Sequence, residues 1–373
     1  MYSQQEVDDA VAAGAITNES ANALRAFVAG QRNASLVDEE HFRLITGFND
    51  IFVAIAGAIL FFAVGWIGQW LGQASELVIG NDGPSPLGGA LVAAAAWGLA
   101  TYFTAKRRMA LPSILFLFAF IGGLFAASGL TLGLIVEASV DDPGERWIAV
   151  IAAVSAAIAA AGAWLHWKRF KVPVTVATGA VAAAVIVGSI VAALLGDSVS
   201  QDVLASALLV TALVMGVAIF LFAMRWDGAD PARVTRKSDV AFWLHLAAAP
   251  LIVHPVFTLL GLNDGSASVG EGLLVIVLYV ILGLAALAID RRALLVSGLA
   301  YVLYALTELF EEFGAVELNI ALTAFVIGSA LLLLSAFWHQ ARGAVVALLP
   351  ASLRTKLPDL HSVQPSTINR QPT

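Results

Sequence analysis

Two histidines and a run of glutamates are the residues here whose types and spacing could carry chemistry. His245 and His254 lie in one apolar stretch with Pro250 and Pro255; Glu308, Glu311 and Glu312 close another, with Tyr304 one helical turn before Glu308. An imidazole beside a carboxylate can hold a proton or a cation near neutral pH. A phenol four residues from that carboxylate shares its helical face, and each proline frees a backbone carbonyl for a ligand. His254, Tyr304, Glu308, Glu311 and Glu312 therefore form a candidate proton or cation site if the two stretches are neighbours. The competing reading makes the glutamates a solvated mouth and His254 a hydrogen-bonded residue between helices. His245, beside Trp243, reads as a membrane-interface residue.

Other chemistry is not signalled. There is no H-E-x-x-H, no phosphate-cradling Gly-rich loop ending in Lys-Ser/Thr, no G-x-S-x-G elbow and no nucleotide fingerprint. With no cysteine, disulfides, thiolate metal sites and cysteine nucleophiles are excluded. The acidic group Glu137, Asp141, Asp142 and Glu145 lacks the spacing of a calcium loop and reads as a solvated turn. No catalytic, cofactor-binding or metal residue is assigned, and the chain is read as a non-enzyme. Its net charge of −7 and the lack of a basic stripe exclude nucleic acid as a partner.

The elements that must position these residues are membrane spans. Of 373 residues, 60% are hydrophobic and 13% charged, against roughly 25% charged in soluble domains. The apolar residues fall in ten runs of 17 to 27 residues: Ile51–Leu71, Leu87–Thr104, Ala110–Val136, Trp147–Trp167, Val172–Leu195, Val203–Met224, Val240–Leu262, Leu273–Ile289, Ala293–Phe310 and Leu318–Trp338. Roughly 20 helical residues cross the hydrocarbon core, whose lack of water requires helices. The fold class is therefore all-α, a polytopic transmembrane bundle of about ten spans. Placing the N-terminus inside puts 19 of the 20 Lys and Arg on inner segments, with only Arg146 outside, as the positive-inside rule requires. The expected location is a bacterial inner membrane, multi-pass, with both termini cytoplasmic and the lipid bilayer as the main partner. The longest connections between spans, Gly72–Pro86 and Arg225–Asp239, hold 15 residues each and house no domain.

Three segments follow: 1–50, a small cytoplasmic helical hairpin with an amphipathic lead-in; 51–338, the bundle; and 339–373, an interfacial stretch with a disordered tail. Ser3 and Glu6 have capping-box spacing, Gly14 ends that first helix, and Thr17 caps a second one running toward Gly30. Two short helices bury little surface, so residues 1–30 need the bundle or a protein partner. Ala180, Ala184, Gly188 and Ala192 form a small-residue stripe, and Gly129 and Gly133 a small-xxx-small step. Both suit internal helix packing or, alternatively, a homo-oligomer face. Gly122 and Gly123 are expected to loosen the long third span.

Three stretches resemble a known family: EVDDAVAAGAITNESANALRAF near the start, VAIAGAILFFAVGWIGQW in the first span, and RRALLVSGLAYVLYALTELFEEFG with LNIALTAFVIGSALLLLSAFWHQAR at the end. The order is similar to that of uncharacterised bacterial multi-pass predicted membrane proteins with an N-terminal membrane domain of unknown function. The resemblance implies about ten spans and brings no activity or site. Two inverted five-span halves would suit a transporter, but the Pro-containing seventh span would pair with the second, which has no proline. The expected role is accessory, structural or interactive. The alternative is a small-solute, ion or lipid transporter using His254 and Glu308.

Overall fold

The computed structural model describes residues 7, 10–31, 48–141, 144–230, 235–261, 269–312, 319–354 and 357. They belong to two bodies, Met1–Phe42 and Arg43–Thr373. In the first, Gly14 adopts φ 70° after a short helical turn, a left-handed conformation that glycine takes without strain. Helix α1 (Asn18–Gln31) follows. Thr17 Oγ1 accepts from the Ser20 amide at 3.1 Å, which makes it the N-cap, and Ala21 is fully buried. Ser3 and Glu6 lie outside the described residues. Thr17→Ala should weaken α1 by about 1 kcal/mol. The check is hydrogen exchange at the Asn18, Glu19 and Ser20 amides of the intact protein, which should quicken by roughly fivefold; unchanged exchange would deny the cap a role.

The second body is built from α2 (Phe48–Ala74), α3 (Pro86–Leu99), α4 (Ala110–Ser139), α5 (Glu145–Phe170), α6 (Val174–Leu195), α7 (Gln201–Gly228), α8 (Arg236–Leu259), α9 (Val269–Ile289), α10 (Ala293–Glu312), α11 (Asn319–Ala336), α12 (Trp338–Leu348) and α13 (Ala351–Arg354). Eight of these, α2 to α9, are long and apolar enough to cross a membrane, α3 with a final turn extending to Thr104. A ninth counts if α11 and α12 are one broken span. The ninth expected run is the 20-residue helix α10. The tenth differs from expectation at its end: the helix stops at Ala336 and α12 leaves at 78° to it. Where α11 crosses a bilayer, that angle lays α12 close to the membrane plane.

Sequence neighbours pack against one another along the chain from α2 to α8, and α9 packs on α10 and α10 on α11. Longer-range contacts join α2 to α4, α6 to α8 and α8 to α10. Phe52, Ile59, Phe62, Trp66 and Trp70 of α2 point outward, an oily surface that water would not tolerate and lipid does. Inside, Phe61, Phe116, Phe120, Ala96 and Ala163 bring α2 to α5 together. Val253, Phe257, Val302 and Ile327 do the same for α8, α10 and α11.

Glycine sets the closest of these approaches. A Cβ on Gly123 of α4 would lie 2.6 Å from the Gly89 carbonyl oxygen and 2.8 Å from the Ala93 amide of α3. A Cβ on Gly68 of α2 would lie 2.6 Å from Gly88 Cα. Helices without a side chain between them gain dispersion contact along their backbones. Gly122 faces open space, and α4 runs unbroken through both glycines. Gly123 therefore seats the helix on its neighbour, and the pair does not loosen it.

Candidate functional site

Where the chain leaves α7, α9 and α11 at one end of the bundle, charged residues are drawn inside. Helix α9 ends in a Schellman motif: the Arg291 amide donates to Ala286 O at 2.9 Å and the Asp290 amide to Leu287 O at 3.3 Å. Asp290 holds the left-handed position at φ 59°, where glycine is the usual residue. That conformation disfavours most side chains by roughly 1–2 kcal/mol, though aspartate tolerates it better than most. The carboxylate justifies its presence. It accepts from Trp338 Nε1 at 2.7 Å and sits 3.7 Å from Arg342 Nε, fixing α12 against the turn.

The same turn sends Arg291, 1% exposed, across to the end of α7. Its Nη2 reaches Asp227 Oδ1 at 2.5 Å and its Nε reaches Oδ2 at 3.4 Å. Nη2 also donates to the carbonyl and hydroxyl oxygens of Ser238 at 3.3 Å. His245 Nε2 lies 2.9 Å from Asp227 Oδ2, and its ring meets the Phe220 ring at 5.1 Å. One carboxylate thus joins α7, α8 and the α9–α10 turn. With a neutral imidazole, Asp227 and Arg291 balance each other, as do Asp290 and Arg342. Such geometry suits a latch: bidentate pairing fixes orientation, and four charges that cancel in pairs can remain in a poorly solvated place.

His245 is therefore a fully buried member of this cluster, and the interface role expected for it is corrected. Asp227, Asp290, Arg291 and Arg342 were not singled out by the sequence. A usable signal existed: Asp227 and Asp290 each stand within three residues of the end of an apolar run, on connections that also carry Lys and Arg.

The expected proton or cation site is at the other end of α8. His254 is exposed, and its Nδ1 is 2.5 Å from the Tyr301 hydroxyl of α10, so α8 and α10 are neighbours there. Tyr301 also stacks on Phe257 at 4.4 Å. Tyr304, one turn later, is exposed. The side chains of Glu308, Glu311 and Glu312 lie outside the described residues, as does any pairing of Glu308 with His254. Tyr301 was missed, although it shares a helical stripe with Tyr304 and Glu308. Pro250 and Pro255 are both accommodated within α8, and a Cβ on Gly216 of α7 would lie 2.9 Å from the Leu251 backbone.

The small-residue stripe divides. Ala180 and Ala184 pack toward α7 and α8, whereas Gly188 faces open space and lines a groove with Ala192 and Glu145. Among the described residues no three His, Asp or Glu side chains gather as metal ligands would.

Long apolar helices packed side by side with a lipid-compatible exterior define an α-helical integral membrane protein. Comparison with family models, curated proteins and solved structures returned no match, so the site has to be interpreted from its own geometry.

Proposed function

We propose that this chain is an accessory protein of a bacterial inner membrane that acts by holding a partner and not by catalysis. Both termini lie in the cytoplasm, and Met1–Phe42 is the docking module. The observation that carries this reading is that the charges of the ion cluster are paired with one another inside the protein. Asp227 engages Arg291 and His245, Arg291 also engages Ser238, and Asp290 engages Trp338 and Arg342. Charges arranged this way tie helices and connections into a rigid anchor. Two further points fit: contacts separate Met1–Phe42 from the bundle, and the chain ends resemble the bacterial family of predicted membrane proteins described above.

The test replaces residues 1–42 with an unrelated helical hairpin of equal length. The bundle should insert and unfold as before, while a null strain carrying the chimera should keep its null phenotype. Full complementation would overturn the proposal.

The bond between His254 and Tyr301 favours a second reading, proton- or cation-coupled transport. Proteoliposomes holding a pH-sensitive dye separate the two. The accessory reading expects no flux above empty vesicles. Flux that His254→Phe and Tyr301→Phe both abolish would establish transport in its place.

A further inference from the structure

We propose that the cavity between α9, α10 and α11 beside Arg292 holds one anionic phospholipid, its phosphate on the guanidinium and an acyl chain in the cavity. This goes beyond the accessory reading and does not depend on it. The cavity measures about 140 Å³ and is walled by Tyr279, Leu295, Leu299, Leu331 and Trp338, with Arg292 among its lining residues. Val296 also lines it and is 64% exposed, so the cavity opens on the lipid-facing surface of the bundle.

Three features make this a lipid site and not merely a gap between helices. First, Arg292 has no carboxylate partner among the described residues. Its guanidinium carbon lies 4.8 Å from the centre of the Trp338 ring, and an arginine stacked on an indole still directs its N–H edges outward, where a phosphate accepts two of them. The neighbouring Arg291 is by contrast committed to Asp227. Second, the platform is fixed in advance, because Trp338 donates to Asp290 at 2.7 Å. Third, the Tyr279 hydroxyl is buried without a hydrogen-bond partner. A buried donor of that kind is unfavourable until something accepts from it, and the ester carbonyls of a glycerolipid are acceptors. Arg292 follows the last turn of α9, where a span of this kind reaches the headgroups, while Leu299 and Leu331 lie further along their apolar helices. A basic group at an interhelical cavity opening on lipid is the arrangement that captures an anionic headgroup.

The experiment uses the full chain in an uncharged detergent, with dioleoyl phosphatidylglycerol and dioleoyl phosphatidylcholine as probes and native mass spectrometry as readout. One phosphatidylglycerol should remain bound, preferred over phosphatidylcholine by about fivefold for a single arginine contact. Arg292→Gln should erase the preference and Arg292→Lys should keep most of it. Leu331→Trp fills the cavity and should release the lipid although the arginine remains, and inorganic phosphate should not compete. Equal retention of the two lipids by the wild type would overturn the proposal, as would a preference that survives Arg292→Gln. Displacement by inorganic phosphate, or full binding by Leu331→Trp, would show a bare anion contact and also overturn it.

Discussion

Asp227→Ala should destabilise the folded bundle by about 3–5 kcal/mol, because it leaves Arg291 buried without its counter-charge. Arg291 is 1% exposed and its other contacts are the two oxygens of Ser238, which cannot neutralise it. The loss should be visible as a lowered midpoint when detergent-solubilised protein is unfolded with increasing sodium dodecyl sulfate. The informative companion is the double variant Asp227→Leu with Arg291→Met. Replacing a buried ion pair by apolar side chains of similar size is often neutral or better, so this protein should recover most of the loss. A single variant within about 0.5 kcal/mol of wild type, the range of ordinary surface substitutions, would mean that the cluster is solvated and holds nothing.

Gly123→Val should be among the most damaging substitutions in the first half of the bundle, beyond the usual 1–3 kcal/mol of an overpacked core and so above about 3 kcal/mol. The obstruction is backbone, not a side chain that can rotate away: an added Cβ meets the Gly89 carbonyl at 2.6 Å and the Ala93 amide at 2.8 Å. Either α3 and α4 separate or the pair does not form. Gly122→Val, one residue earlier and facing open space, is the matched control and should remain within about 0.5 kcal/mol of wild type. The two proteins, compared by thermal unfolding in one detergent, isolate the helix contact from any general effect of valine. Equal melting temperatures would show that α3 and α4 are not in direct backbone contact.

Much of the architecture was legible in the residues. The boundaries of α2 to α8 lie within a few residues of the apolar runs, because a helix crossing hydrocarbon must be apolar along its whole length and nothing else produces such runs. Thr17 as a cap was legible for the opposite reason, since the interaction is local and complete within four residues. The ion cluster was hidden. Arg291 and Asp227 stand 64 residues apart and Trp338 and Asp290 stand 48 apart. A charge beside a span end has the same sequence signature whether water or another side chain satisfies it. Lys and Arg at such places were read only as markers of sidedness, and that reading concealed which of them turn inward. The break before Trp338 was hidden too, for the apolar run continues through it and no proline or glycine marks it. Gly122 and Gly123 are indistinguishable by type; which one touches a neighbour depends on the rotation of α4, which only packing fixes.

The latch also has a history within each molecule. During synthesis the carboxylate of α7 leaves the ribosome 64 residues before its guanidinium, an interval of about 3–13 s at 5–20 residues per second. Once the imidazole of α8 has followed, 18 residues behind, it is the nearer companion for the rest of that interval. A nascent chain halted before α9 is complete therefore carries this carboxylate without the guanidinium that neutralises it in the finished protein.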